Sequence, residues 1–591
     1  MMLKKRYACL LLSVVSAMIF SPSVSHAQIT VPEFKMVNGE HVNLLTSSDY
    51  NIYAPTMDIT EEILSMNSSE GPIKYTRYLP RVGDWRDNYK DGVDASDPAN
   101  IWVIIDNKIH IFSGMYPYDT IAGVNYDGDG QGNGLTALAI NGVNTWKYVG
   151  KDGEIALFPS NIGTTIQYPT TIQYPSGLVR TFTYKTADLG DPSGLDARVQ
   201  SVVDSDGTMV KFSYDADTPT AGSWVWHHIA SVALINQAYA YCDPTADHCS
   251  FALSSWPMAT FTGPAGGVVP SGQTAIETTA TNTGYTRSYK KDMYGRVVGT
   301  SNVTPYLEHF TISYVSTYYK LASIANNKGD TRTYTSNSSN PYDIIETVAS
   351  SYLGANEYYH FENSSTMPTK IIDALGRTTL YSWNFPDNHL AKVTYPEGNF
   401  VSLQYDARFN VTSKTSTPKA GVGGASLVET STYDTNCTNI NTCNRPNSYV
   451  DPKGGEIDWT YTSYGMKASE MLPPASAGAA RKLKLYSYSQ KSAYVLNAQG
   501  NLVSTGQPIW KLTGETDCQT APGSSALTCD PSGPREDVTY LYGADGTPDN
   551  LLVRGKQTSS SGTSYLVCYG YDRWRHKISE TSPNAQLQVC Q

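Results

Sequence analysis

Residues 371–411 read IIDALGRTTLYSWNFPDNHLAKVTYPEGNFVSLQYDARFNV. Two turns divide this stretch, Asp373-Ala-Leu-Gly376-Arg377 and Tyr395-Pro-Glu-Gly398-Asn399. The alternation between them predicts strands at Thr378–Trp383, Ala391–Thr394 and Phe400–Tyr405. An Asp at a turn start accepts hydrogen bonds from backbone N–H groups two residues on. Gly supplies the positive φ that a residue with a side chain resists. An Arg after the Gly can lay its guanidinium on a neighbouring tyrosine ring.

The same spelling recurs. Asp204-Ser-Asp-Gly207, Asp292-Met-Tyr-Gly295-Arg296 and Asp451-Pro-Lys-Gly454-Gly455 repeat the turn, and Tyr174-Pro-Ser-Gly177 repeats its second version. Strands leave through Phe212-Ser-Tyr214-Asp215, Leu403-Gln-Tyr405-Asp406 and Tyr569-Gly-Tyr571-Asp572. The chain holds 43 Tyr against 13 Phe, an excess that suits strands with one wet face. One such unit cannot bury its own face, so copies must stack. The expectation is an all-β protein of tandem hairpins laid into a long curled sheet, with tyrosines pairing across neighbouring strands.

The first 27 residues read as a signal peptide. Lys4, Lys5 and Arg6 form a basic start, Leu10 to Phe20 is mostly apolar, and Ser25-His26-Ala27 offers a cleavage site. No later stretch is long and apolar enough for a transmembrane helix. Cleavage near Ala27 would leave a secreted or cell-surface protein, periplasmic or extracellular. Its formal charge falls from −11 by three to −14 as the basic residues leave. An acidic chain is a poor partner for nucleic acid. Eight cysteines remain as near neighbours: Cys242/Cys249, Cys437/Cys443, Cys518/Cys529 and Cys568/Cys590. An even count in an exported chain implies disulfides, here local ones. A metal is the rival reading at His248-Cys249, but the spacing matches no zinc pattern.

Residues 28–160 read as a β-rich N-terminal domain that caps the open end of the repeat sheet. Within it Ile73–Tyr78 alternates like a strand, and Ile101–Ile105 and Lys108–Phe112 flank a two-residue turn. Residues 161–591 read as the repeat region. It opens with a duplication, Thr164-Thr-Ile-Gln-Tyr-Pro169 followed by Thr170-Thr-Ile-Gln-Tyr-Pro175. Gly-, Ser- and Pro-rich insertions at 414–428, 470–480 and 519–534 read as outer loops. Ala477–Leu485 is the one helical patch expected.

These residues resemble the bacterial YD-repeat, or RHS-repeat, proteins. The matching elements are Tyr405-Asp406, Tyr571-Asp572 and the Asp-x-x-Gly-Arg turns at 292–296 and 373–377, and the resemblance covers roughly residues 160–591. It implies a strip of β-sheet coiled into a shell that encloses a C-terminal effector in toxin members; eukaryotic relatives are adhesion proteins. Phe409 and Arg575 depart from the pattern, standing where Gly is expected, so those turns must take another conformation or carry strain. The toxin members' core-associated segment and effector have no counterpart before Cys590-Gln591. Asp191-Pro-Ser-Gly-Leu195 carries some of that segment's letters but reads as a plain turn.

No catalytic constellation emerges: no Gly-x-Ser-x-Gly elbow, His-Glu-x-x-His helix or phosphate loop. His227-His228 follow Trp224-Val-Trp226 on an expected strand, where adjacent side chains point to opposite faces and cannot share an ion. Carboxylates are scattered through turns. Asp127, Asp129, Gln131 and Asn133 alternate along a glycine loop with spacing suited to calcium, but Leu138 stands where an EF-hand needs Glu. A flexible glycine loop is the default, and no cofactor is expected. The function expected is therefore a non-enzymatic scaffold, part of a shell that encloses or presents an effector on another chain, with that effector or a companion chain as partner. The alternative is a surface adhesion module recognising a glycan or protein.

Overall fold

The computed structural model describes most residues between 50 and 590. Residues 1–49 lie outside it, as do short stretches such as 80–85, 189–195, 303–309, 338–343 and 362–367. The signal peptide and Asp191–Leu195 therefore fall outside the described residues.

One antiparallel ladder dominates. It starts with Tyr116–Ile121 and Val124–Gly128 and runs in chain order to Thr563–Tyr571 and Lys577–Glu580. No register pairing joins its first strand to its last among the described residues, so the ladder is a curled open strip. The deciding stretch forms Thr378–Asn384, His389–Thr394 and Phe400–Tyr405, with Lys392 opposite Ser402. Two strands are much longer than the rest: Lys482–Leu496 pairs with Leu502–Gln519.

Two expectations need correction. Ala477–Leu485 is not helical; a turn leads into the strand Lys482–Leu496, whose Lys-Leu-Lys-Leu-Tyr-Ser-Tyr spelling has the period of two that a strand requires. Trp224–Trp226 is a short 3-10 turn rather than a strand, and the strand begins at Ile229.

The segment Ile59–Phe112 does not extend the ladder. Ile59–Met66, Ile73–Leu79 and Arg86–Asp87 form one small sheet. Gly92–Asp94, Ile101–Ile105, Lys108–Phe112 and Ile166–Gln167 form another, with Ile105 opposite Lys108 as the two-residue turn demands. These sheets cover a face of the ladder. Tyr75, Tyr89, Val93 and Val103 pack against Phe182, Val202, Phe212 and Phe261 of the ladder in one buried core. Buried charges fix the docking. Arg77 meets Glu277 at 2.7 Å, and Glu61 accepts hydrogen bonds from the Tyr285 and Tyr289 hydroxyls.

Around Thr208–Tyr214 the strip is covered on both sides, and every residue of that strand is buried. Val210, Phe212 and Tyr214 face the N-terminal sheets. Met209, on the opposite face, packs with Cys242 and Trp256 of the excursion between Asn236 and Met258.

Candidate functional site

The repeat turns keep one geometry. Asp373 Oδ1 accepts from the backbone N–H of Leu375 and of Arg377, both at 2.9 Å, and Gly376 takes φ +77°. Asp292, Asp406, Asp451 and Asp572 accept at the same two offsets, and Gly295, Gly398 and Gly454 share the positive φ. Burial would push the Asp373 carboxyl up, but hydrogen bonds from Arg377 and Leu375 hold it below its ordinary value.

The first turn differs. Asp204 pairs with Arg180 at 2.8 Å, and Asp206 makes the turn bond to Thr208 N–H, while Gly207 keeps φ +88°. The guanidinium of Arg296 lies 4.8 Å from the rings of Tyr294 and Tyr314, as expected. That of Arg377 pairs instead with the Asp373 carboxylate at 2.7 Å.

The strand-exit tyrosines do something their letters do not announce. Tyr405 donates its hydroxyl to Leu390 C=O at 2.8 Å, on the preceding strand. Tyr214 does so to Val199, Tyr314 to Val297, Tyr461 to Pro446 and Tyr571 to Val553. Trp383 makes the same bond with its indole N–H to Pro368 C=O. Opposite each of these aromatic residues the following strand carries one extra residue, Thr412 for Tyr405 and Ile578 for Tyr571. Such a bulge sharpens the local twist and re-aims a side chain. The ring leans back over its predecessor, and its hydroxyl satisfies a carbonyl near the strip's margin. Burial pushes the Tyr405 and Tyr571 phenols up to about 12. Stacked tyrosine pairs occur, as at Tyr168–Tyr184, but the hydroxyl-to-carbonyl bond is the recurring feature. The signal was the Tyr-Asp exit itself, read at the sequence level as cross-strand pairing.

The eight cysteines join as neighbours: Cys242–Cys249, Cys437–Cys443, Cys518–Cys529 and Cys568–Cys590. His227 meets Asp196 at 2.7 Å and His228 meets Asp215 at 2.6 Å, so the two histidines serve different carboxylates. Of the calcium candidates, Asp129 lies outside the described residues. Asp127 lies on the strand Val124–Gly128, opposite Leu135. Asn133 is buried, with Oδ1 taking Lys151 N–H at 2.8 Å and Nδ2 against His110 Nδ1 at 3.1 Å. Its amide is engaged in fixing the chain. No cluster of three or more metal-ligating side chains occurs among the described residues.

The structure also brings together turns that lie far apart in the chain. Along one edge of the early strands, Lys151 Nζ bonds Phe409 C=O at 3.0 Å, Trp510 N–H bonds Ser176 C=O at 2.7 Å and Leu496 N–H bonds Gln237 C=O at 2.8 Å. Arg573 donates to Ser255 C=O at 2.8 Å. At the seam's centre Arg575 is buried, its guanidinium donating to Asp549 at 2.7 Å, Asp206 at 3.1 Å and Thr208 at 2.7 Å. The strip thus passes round and lays a later stretch of itself on the edge of an earlier one. Phe409 and Arg575 both adopt the glycine conformation, at φ +61° and +63°. Those turns therefore keep the repeat geometry and carry the strain, and both sit on this seam.

No family model matches the chain, and neither does any curated protein. Among solved structures it is similar to TcdB2-TccC3 without the hypervariable C-terminal region, at 11% identity and a TM-score of 0.26 over 85% of this chain and 27% of that one. TcdB2-TccC3 aligns at 11% identity and TM-score 0.25 over 90% and 30%, and TcdB2-TccC3-Cdc42 at 10% and 0.27 over 84% and 26%. The chain spans less than a third of the length of these structures. At these levels of identity and overlap, what those proteins bind remains theirs alone.

Proposed function

We propose that this chain is an exported, non-enzymatic scaffold of YD-repeat type, one portion of a β-shell that encloses or presents an effector carried on another chain. The observation that supports it most is the self-docking edge. Lys151 with Phe409, Ser176 with Trp510 and Asp206 with Arg575 turn a ladder into a wall. A flat adhesion sheet has no need of such a seam. The strand-exit tyrosines fit this reading, because their hydroxyls fasten one strand to the one before it. In this reading the small sheets of residues 59–112 form the covering unit, and the ladder from Tyr116 onward, with the repeats of 161–591, forms the wall. The turn residues serve the shape rather than a reaction.

The test is to co-express the full chain with the protein encoded immediately downstream and image the product by electron microscopy. The expected result is a curled wall that the companion continues, with a protease-sensitive effector protected inside. An open sheet with no companion bound, together with glycan-array binding lost on changing Trp102, an exposed ring on the strand Ile101–Ile105, to Ala, would replace the shell with the adhesion reading.

A further inference from the structure

Lys211 sits in the middle of the strand Thr208–Tyr214, its side chain shut off from solvent. Its ammonium is held by backbone carbonyls, those of Ala246 and, at 3.4 Å, Pro244. Both belong to the loop that Cys242–Cys249 closes. Asp247 of the same loop accepts from Lys185 Nζ at 2.7 Å, Gln200 Nε2 at 2.8 Å and Arg198 Nη2 at 3.4 Å. Ser201 Oγ bonds Pro244 C=O at 2.9 Å. Gln200 is itself a bulge residue, the extra residue between Val199 and Ser201 as they pair with Tyr184 and Thr183, so it and Ser201 both reach this face.

A short loop therefore fills a cationic row with carbonyls and a single carboxylate, the groups an acidic peptide offers. Burial pushes the Lys211 ammonium down to about 8, against the pull of Asp247 and Asp243. The cover is polar where it meets Lys211, and one covalent bond joins its two ends to each other and so holds the loop in the shape that makes these contacts.

We propose that the Cys242–Cys249 loop is a reductively released plug over a carboxylate-binding row formed by Lys185, Arg198 and Lys211. Release needs an external dithiol. The dithiol gives up two electrons and two protons and becomes a disulfide; the Cys242–Cys249 S–S bond breaks and two thiols form. Without that link the loop gains conformational freedom. The row then takes a carboxylate from another molecule in place of Asp247. This holds whether or not the strip encloses an effector.

The test uses the full chain with and without dithiothreitol, and the Cys242→Ser/Cys249→Ser variant. Acetylation by a water-soluble succinimidyl ester, read by mass spectrometry, reports access to Lys211, with exposed Lys453 as control. The expected result is at least a tenfold faster reaction at Lys211 after reduction and in the double variant. Hexaglutamate should bind only the reduced protein. Asp247→Ala, which leaves the disulfide in place, should raise labelling before reduction. If the double variant does not fold, reduced wild type and Asp247→Ala carry the test. Lys211 staying protected after reduction would overturn the proposal. So would hexaglutamate binding that is absent or indifferent to reduction, or loss of amide-exchange protection across Thr208–Tyr214, which would mean the strand itself had opened.

Discussion

Arg575 and Asp206 are separated by 369 residues in the chain and by 3.1 Å in the fold. Both side chains are almost completely buried, and Asp549 completes the group at 2.7 Å from the same guanidinium. Asp549 comes from the neighbouring hairpin, but Asp206 cannot meet this arginine unless the strip has come round upon itself, so the Arg575–Asp206 pair records the closure of a coil. A partner removed from such a group leaves an uncompensated buried charge, which costs far more than the pair contributes.

Arg575→Ala is therefore expected to lower unfolding free energy by about 3–5 kcal/mol. Arg377→Ala, whose pair with Asp373 is largely solvated, should produce no measurable change. Denaturant unfolding of the two variants beside wild type checks this, and equal losses would mean the seam is not a closure point.

Tyr214→Phe removes only a hydroxyl, but it strands the buried Val199 carbonyl that it serves at 2.6 Å. The expected loss is about 1 kcal/mol, and a similar loss for Tyr405→Phe would show that the bond stabilises each repeat independently. Urea midpoints of the single and double variants measure it, and unchanged midpoints would make the recurring bond ornamental.

Gly376 and Gly177 occupy the same turn position with φ +77° and +90°. A Cβ on Gly376 meets nothing within 4 Å, so Gly376→Ala should cost about 1–2 kcal/mol from conformation alone. On Gly177 it would stand 2.6 Å from Pro508 C=O, across the seam. Gly177→Ala should cost more and should loosen amide protection around Trp510 in hydrogen exchange, whereas Gly376→Ala leaves that region unchanged.

Burial would push the Glu277 carboxyl up, but the charges of Arg77 and Lys291 overrule it and hold it at about 2. A carboxyl lowered on folding adds stability that is complete above its unfolded pKa, near 4.5. That contribution is lost as pH falls from about 4.5 towards 2. Since Arg77 lies on the N-terminal sheet, the unit covering the strip's face should loosen first in acid. Glu277→Gln should start less stable at neutral pH and lose less between pH 6 and pH 3 than wild type. Parallel acid limbs in the two proteins would show that this contact does not set the acid response.

The hairpin grammar was legible because its causes are local. Asp at the turn start, Gly at positive φ and alternating strands between them act within a few residues, and each was readable at 371–411. The seam was not legible, since pairing across more than 250 residues leaves no periodic trace. Yet a hint of it stood in the text. Phe409 and Arg575 were the two turn residues that broke the glycine rule, and a non-glycine residue persists there only where other contacts over-determine the backbone. Phe409 has Lys151 on its carbonyl and His389 stacked 4.5 Å from its ring, and Arg575 has its carboxylates.

The duplicated hexapeptide marks where local information ends. Thr-Thr-Ile-Gln-Tyr-Pro occurs twice in succession, and both copies form strands, as two β-branched threonines and an isoleucine favour. Ile166 of the first copy pairs with Asp94 in a small sheet and is 37% exposed. Ile172 of the second lies between Ala156 and Arg180 in the long ladder and is 3% exposed. Extended backbone and turn placement follow from neighbours along the chain, so the sequence alone determined them. Partner, face and burial follow from what packs alongside, and only the tertiary structure decided those.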